Sequence, residues 1–344
     1  MLTRFFITIF LLTSICQFTR AQNSGPGAYL DFIGNEYQKM TEDMMSYASA
    51  AAHSRSARKI DKRRTDLAIQ LKESERNIRM MKPFNGDHSL RDSIASYMRI
   101  CAIVLNEDYA KILDMEDIAE QSYDAMEAYL LTKEKANEKL ERANTVASEQ
   151  YRQFATDNGI TLIENESKLH QKMEAVGKVN KYYNEIYLLF FKSYKDEAYL
   201  LDALSRDDVS ALQQSANTLM SSSSENLTKI GTVTAFKGDN SLKTTCQKML
   251  AFYKEEATKA SLFIDYLLEK EKFDKIKEAF DAKKEKARTK DDVDLYNNAV
   301  NDFNSFLGKV NRAHDELNKK RNALLSNWNK ASSAFLDSHT PKYK

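Results

Sequence analysis

The sequence predicts an all-α protein, an elongated antiparallel helical bundle built from two related helical units. The 344 residues include only 9 Gly and 3 Pro, too few for the turns of a β-rich fold. Apolar residues recur at intervals of three and four along most of the chain, which is typical of amphipathic helices. The heptapeptide pattern Phe-x-Gly-Asp-x-Ser-Leu also occurs twice, at Phe84–Leu90 and at Phe236–Leu242, and this indicates an internal repeat.

The first unit is predicted to span residues 29–160 and to hold helices over about 29–54, 56–81, from 89 onward, and 115–156. Pro83 ends the second helix, because the residue before a proline disfavours the helical conformation. The heptapeptide follows as a connection. We expect its Phe to plug the core, its Gly to permit a positive φ, and Asp87 and Ser89 to accept from the free amides of the next helix.

The second unit is predicted to span residues 161–338, with helices over about 167–204, 208–230, 241–270 and 290–338. The last helix has heptad spacing, which favours a shallow coiled-coil-like crossing with a partner helix. His314 and Arg321 interrupt its apolar seam. The seam consists of Val293, Tyr296, Val300, Phe303, Leu307, Val310, Leu317, Leu324, Trp328, Ala331 and Phe335.

The first 21 residues are typical of a cleaved signal peptide. Arg4 supplies a positive charge, an apolar stretch follows, and Thr19 and Ala21 place small residues at the −3 and −1 positions of a cut before Gln22. Attachment of a lipid through Cys16 is the alternative. Residues 22–28 are then a flexible leader and 339–344 a tail. The signal indicates export to the cell surface, the outer envelope or the periplasm, with no transmembrane span after cleavage.

The composition excludes one class of partner and leaves the cysteine pairing open. The chain has 51 basic and 50 acidic residues, whereas a general polyanion binder has a basic excess, so we expect no nucleic acid partner. Once the signal is removed, Cys101 and Cys246 remain, both among apolar neighbours. They are interpreted as two small buried side chains, and a disulfide between them is the alternative in an oxidising compartment.

Motifs for catalysis are absent from the sequence. It has no Gly-x-Ser-x-Gly, no phosphate-binding glycine loop and no His-Glu-x-x-His. Glu166, His170 and Glu174 share one helical face, but there is no second cluster, so we interpret them as a solvated stripe. The sequence therefore predicts no enzyme, no catalytic or metal site and no cofactor. A buried convergence of carboxylates with His170 would contradict this prediction.

Two surface features are candidates for contacts. A basic contact patch is formed by Arg55, Arg58, Lys59, Lys62, Arg63 and Arg64, and the alternative is a solvated helix face. The most aromatic segment, over residues 182–201, has apolar residues all around the helix and is interpreted as a buried central helix. Its alternative role is a ligand groove lined by Tyr183, Tyr187 and Tyr194.

Several segments together resemble a family of exported helical surface proteins of Bacteroidota and spirochaetes, named after a leptospiral surface protein. The resemblance covers nearly all of the chain after the signal, and it implies a cell-surface or outer-envelope address without a defined activity. It implies no functional residues. The segments that carry it are Ser56–Lys59, Gly86–Ser93, Leu105–Tyr109, Met115–Tyr129, Phe190–Tyr199 and Asn327–Lys330.

Together these features predict a non-enzymatic, exported helical envelope or surface protein that acts through protein contacts or as a structural element. We expect a monomer or weak oligomer whose partner is an unknown envelope protein or a glycan. The alternative is a periplasmic or surface module that binds a glycan, a lipid or another small ligand between the two helical units.

Overall fold

The computed structural model describes residues 25–54, 56–108, 119, 121–162 and 168–343. Within these ranges the chain is helical and has no strand, so the predicted all-α class is confirmed. The predicted signal peptide, Cys16 and residues 22–24 lie outside the described residues. The prediction of a flexible leader over 22–28 is wrong for residues 26–28, which form the start of the first helix. The helices are α1 (Pro26–His53), α2 (Ala57–Arg79), α3 (Ser89–Ile103), α4 (Tyr123–Asp157), α5 (Lys168–Ser205), α6 (Val209–Thr232), α7 (Ser241–Asp281) and α8 (Lys290–His339).

Local sequence explains where several helices begin. The side chains of Ser56, Ser122 and Asp208 accept hydrogen bonds from backbone amides in the first turns of α2, α4 and α6. A π-helical turn at Val104–Asp108 continues α3. The predicted end of α7 near residue 270 is wrong: the helix reaches Asp281, because apolar residues continue at helical spacing and pack against α8.

The repeated heptapeptide forms the same tight turn at both positions. Backbone amide and carbonyl groups of Phe84 and Asp87 bond to each other at 2.9 and 3.1 Å, and Phe236 and Asp239 do so at the same distances. The two central residues have positive φ in each copy, 50° and 86° in the first and 51° and 84° in the second. Two consecutive positive φ values define a type I′ turn, for which Asn-Gly is the preferred pair.

The expected roles within the heptapeptide are partly wrong. Asp87 accepts from the backbone amide of Ser89 at 2.8 Å, as predicted, but the Ser89 hydroxyl donates to Asp87 at 2.7 Å instead of capping the helix. The Phe side chains are only half-buried, and the fully buried members are Leu90 and Leu242. In each copy the residue after Leu, Arg91 or Lys243, donates to backbone carbonyls at the end of the preceding helix.

The chain divides into two compact units. Unit 1 comprises Met1–Asn184 together with Ala334–Lys344, and unit 2 comprises Glu185–Ser333. These boundaries differ from the predicted 29–160 and 161–338, which rest on sequence repetition and not on packing. The relation between the two units as repeats therefore stays a prediction, supported locally by the matching turns.

In unit 1, α1 packs against α2, α2 against α3, and α3 against α4. Its core is aliphatic, methionine-rich and closed by a stacked pair of tyrosines, Tyr37 and Tyr97, whose ring centroids lie 5.6 Å apart. Cys101 belongs to this core and is free. Burial raises the pKa of its thiol to about 12, so the thiol is unreactive at neutral pH. Other core residues are Leu30, Ile33, Met40, Met45, Leu67, Leu71, Ile78, Ile94 and Met98.

In unit 2, α6 packs against α7, and Trp328 of α8 stacks on Phe190 of α5 at 4.2 Å. Cys246 is buried and free, and burial raises its thiol pKa well above the usual value. The end of α7 and the beginning of α8 form a hairpin held by stacked rings. Phe273 lies 4.8 Å from Phe303, and Phe280 lies 4.4 Å from Tyr296.

The predicted seam of α8 is buried along its second half. Val310, Leu317 and Trp328 are at most 6% exposed, whereas Val293 is 39% exposed. The helix is continuous for 50 residues, as the heptad spacing predicted. Among the described residues, no helix combines the length and apolar character that crossing a bilayer requires.

Candidate functional site

The most unusual chemical feature of unit 2 is a buried cluster of two glutamates and one arginine. Glu197 of α5 and Glu256 of α7 are each 2% exposed. Arg321 of α8 lies between them and donates from Nε to Glu197 Oε1 at 2.5 Å and from Nη2 to Glu256 Oε1. Arg321 also donates to the side-chain oxygen of Asn318, one turn earlier. Three helices thus converge on one guanidinium.

The cluster holds more negative than positive charge if both carboxylates are ionised. Burial, followed by the negative charge of Glu197, raises the pKa of Glu256 to about 8. The second oxygen of Glu256, Oε2, has no hydrogen-bond partner among the described residues. A buried carboxylate oxygen without a donor favours the protonated form. The arrangement therefore holds a proton on the glutamate pair at neutral pH.

A small cavity adjoins this cluster and limits what it can do. Its volume is about 10 Å³, which is room for about one water molecule. Glu256 and Arg321 form its polar side, and leucines and Phe263 form the rest, with the half-exposed His314 at one edge. An organic substrate does not fit in this space. The chemistry available to the cluster is therefore storage of a proton between buried groups.

Sequence reasoning did not identify this cluster as a site, although it did single out two of the residues involved. Arg321 and His314 were the residues that broke the apolar seam of α8. A cation at a seam position is a signal for a buried acidic partner, because an unpaired buried charge is costly. The feature that would have indicated an enzyme was a buried convergence of carboxylates with His170. The side chain of His170 lies outside the described residues, and its position belongs to unit 1.

The basic contact patch lies at the start of α2 in unit 1. Arg63 and Arg64 have acidic neighbours on their own helix, with Arg64 2.8 Å from Asp61 and Arg63 3.8 Å from Asp66. The other described members are exposed and have no acidic partner within the described part of the chain; they are Arg58, Lys59 and Lys62. Arg55 lies outside the described residues.

The three tyrosines of the predicted groove have different environments. Tyr183 belongs to unit 1, whereas Tyr187 and Tyr194 belong to unit 2. Tyr183 and Tyr187 are each 5% exposed, and Tyr194 is 36% exposed. Tyr187 stacks on Phe191 at 5.5 Å, and Tyr194 stacks on Phe190 at 5.6 Å. Two of the three side chains are thus core residues, as expected for a buried central helix, and the groove itself stays a prediction.

An open groove in unit 1 was not predicted. It runs between α3 and α4 and has a volume of about 420 Å³. Ser93 lines it, and the buried hydroxyl oxygen of Ser93 has no hydrogen-bond partner among the described residues. Three of its residues, spaced along one face of α3, are serines. The lining consists of Ser89, Ser93, Ser96, Tyr97, Ile100, Ala143, Val146 and Gln150.

Within the described ranges, no group of three His, Cys, Asp or Glu side chains could hold a metal ion. Comparison with known proteins identified no matching family model, no similar curated protein and no similar solved structure. The resemblance to the exported surface-protein family therefore stays a prediction from the sequence.

Proposed function

We propose that this chain is an exported, non-enzymatic helical protein of the envelope or cell surface that works through contacts with a partner. The observation that carries the proposal is the position of Arg58, Lys59 and Lys62, which are exposed and without acidic partners at the start of α2. Export is supported by the signal-like residues 1–21, and an envelope address by the resemblance of the sequence to surface proteins.

The position of these cations is energetically unfavourable in the isolated protein. The first turn of α2 contains Arg58 and Lys59 but no acidic residue. The N-terminal end of a helix carries partial positive charge, and each cation there costs about 0.3–1 kcal/mol. An acidic partner surface would remove this cost. The same three residues would also speed association with such a partner at low ionic strength.

Photo-crosslinking in intact cells tests the contact. We expect a crosslinker at Lys62 to give a discrete adduct that is lost when Arg58 and Lys59 are replaced by Glu. The matched control places the crosslinker at Lys254 and replaces Lys72 and Lys248, which are equally exposed and free of acidic partners. An equal adduct yield at both positions, or an adduct that survives the charge reversal, would contradict the proposal.

Protease treatment of the same cells tests the address. A surface protein is cleaved in intact cells, whereas a periplasmic one is cleaved only after the outer membrane is permeabilised. Retention of the protein in the cytoplasm, with residues 1–21 still attached, would contradict export altogether.

A ligand-binding module is the second candidate function, and the groove between α3 and α4 favours it. Hydroxyl, amide and tyrosine groups beside Ile100 and Val146 suit a carbohydrate, which presents both polar edges and apolar faces. We expect soluble oligosaccharides to raise the melting temperature of the wild type but not of Val146→Trp, which fills the groove. Leu131→Trp, at an equally exposed site on α4, is the control. A uniform response of all three proteins would contradict groove binding.

We also propose that the two helical units are related repeats. The matching φ values and hydrogen bonds of the two heptapeptide turns support this relation, as does the shared role of Arg91 and Lys243.

A further inference from the structure

Both ring nitrogens of His53 face oxygen atoms of the C-terminal segment. His53 is the last residue of α1. Its Nδ1 lies 2.6 Å from Oδ1 of Asp337, and its Nε2 lies 3.1 Å from the backbone carbonyl oxygen of Thr340. A carbonyl oxygen can only accept a hydrogen bond, and so can an ionised carboxylate. Both nitrogens can donate only when the imidazole is doubly protonated.

The surroundings of His53 contain an ionised carboxylate and the ends of two helices. The hydrogen bond from His53, followed by the charge of Lys342, lowers the pKa of Asp337, so this carboxylate is ionised. His53 lies in the last turn of α1, where the helix dipole favours a cation. Asp337 lies in the last turn of α8, where a carboxylate is disfavoured, and a positive His53 offsets this cost.

Other contacts of the same segment depend on its position against α1. Ser49 accepts from the backbone amide of Tyr343 at 3.1 Å, and Lys172 of α5 donates to the carbonyl of Lys342 at 3.0 Å. Thr340 is only 4% exposed. The remaining charged groups nearby are Glu42 and Asp43 of α1, which act on Tyr343, and His339 of α8, which stacks on Phe335. All of these residues belong to unit 1.

We propose that His53 is a proton-operated latch that holds residues 337–343 against α1. In the doubly protonated state it donates to Asp337 and Thr340 together. After loss of one proton, a single N–H remains and one of the two hydrogen bonds is lost. The segment then leaves α1 more often, which exposes Thr340 and Ser49. The latch thus couples the surface of unit 1 to the pH of its compartment, whichever partner that surface binds.

Nuclear magnetic resonance of the full chain tests the latch directly. The ring nitrogen shifts of His53 report which nitrogens carry protons, and amide hydrogen exchange at Tyr343 reports attachment of the segment. Between about pH 5 and about pH 8 we expect the Tyr343 protection factor, corrected for intrinsic exchange, to fall about tenfold. The fall should follow the titration of the His53 ring.

Two variants separate the latch from a general change in stability. In His53→Gln the protection at Tyr343 should be low and independent of pH, because both N–H donors of Gln lie on one nitrogen, whereas the two oxygens face different ring nitrogens of His53. His314→Gln, which removes an exposed histidine of unit 2, should leave the response unchanged. If His53→Gln does not fold, the wild-type titration alone decides. Constant protection at Tyr343 while His53 titrates, or only one protonated nitrogen at about pH 5, would overturn the proposal.

Discussion

At the scale of single residues, two buried glutamates have pKa values shifted in opposite directions. Glu36 is 3% exposed and accepts from Lys39 at 2.7 Å and from Ser74 at 2.6 Å. Burial raises its pKa, but these hydrogen bonds outweigh burial, so its pKa is lowered overall. Glu256 is equally buried but shares Arg321 with Glu197, and its pKa is raised to about 8. The raised pKa of Glu256 follows from burial and from the negative charge of Glu197, which the shared Arg321 does not outweigh.

Replacement of Arg321 by Met should destabilise the protein by about 3–5 kcal/mol, because it leaves the buried carboxylate of Glu197 without a cation. Glu256→Gln should cost less than about 1.5 kcal/mol at pH 7, because it replaces a group that is already protonated and keeps an acceptor for Arg321. Urea unfolding of both variants checks this ordering. Equal losses for the two variants would show that the guanidinium does not neutralise the pair.

The seam of α8 shows what can and cannot be predicted from sequence at this scale. Heptad spacing predicted the buried positions of Leu317 and Trp328, and it made Arg321 stand out as an exception. The acidic partners of Arg321 could not be predicted. They lie 65 and 124 positions away, and nothing local distinguishes them from the other members of a set of 50 acidic residues.

At the scale of elements, the two heptapeptide turns show a motif whose geometry was predictable in part. Gly at the second central position predicted a positive φ, which the structure confirms. The positive φ of Asn85 and Lys237 was not predicted, although Asn-Gly is the preferred pair for this turn type. Lys237 is the departure from that preference, since a long side chain has no local hydrogen bond to offset the left-handed conformation.

Gly86→Ala should destabilise the protein by about 1–2 kcal/mol, because φ is 86° at this position while a Cβ would meet no atom within 4 Å. The cost is therefore one of backbone conformation alone. Gly34→Ala is the control, since Gly34 lies inside α1 with equal space and an ordinary helical φ. It should stabilise the protein by about 0.5–1 kcal/mol. Thermal unfolding checks both variants. A change of melting temperature with the same sign in Gly86→Ala and Gly34→Ala would contradict the turn assignment.

The aromatic hairpin of unit 2 gives a second prediction for an element. Phe280 stacks on Tyr296 and lies beneath the guanidinium of Arg288, 4.1 Å from its ring centroid. Phe280→Ala should therefore increase amide exchange at Glu285–Ala287, the turn that joins the two helices. Leu295→Ala, at a site 56% exposed, should leave this exchange unchanged. Faster exchange in both variants would indicate that the rings do not hold the turn.

At the scale of the whole molecule, stability should fall as the pH rises. The folded-state pKa of Glu256, about 8, is above its ordinary value of 4.5, so the folded protein binds more protons than the unfolded chain between these values. The stabilising contribution is complete below about pH 4.5 and is lost as the pH rises through about 8. Unfolding free energies from urea titrations across this range should therefore decrease, and Glu256→Gln should reduce the slope.

A second background, His53→Gln, removes the ionisable group of the proposed latch from the measurement. In His53→Gln, the remaining decrease of unfolding free energy with rising pH belongs to unit 2. This decrease should disappear in the double variant His53→Gln/Glu256→Gln. A flat profile in wild type would contradict the protonated glutamate pair.

The composition of unit 1 sets an order of events during synthesis. Its last contacts come from residues 334–343, which are translated after all of unit 2. The hydrogen bond between His53 and Asp337 joins residues 284 positions apart, and closing so long a loop is slow. Until α8 leaves the ribosome, α1 and α2 can assemble but unit 1 stays incomplete. Unit 1 of the nascent chain therefore finishes folding only at the end of translation.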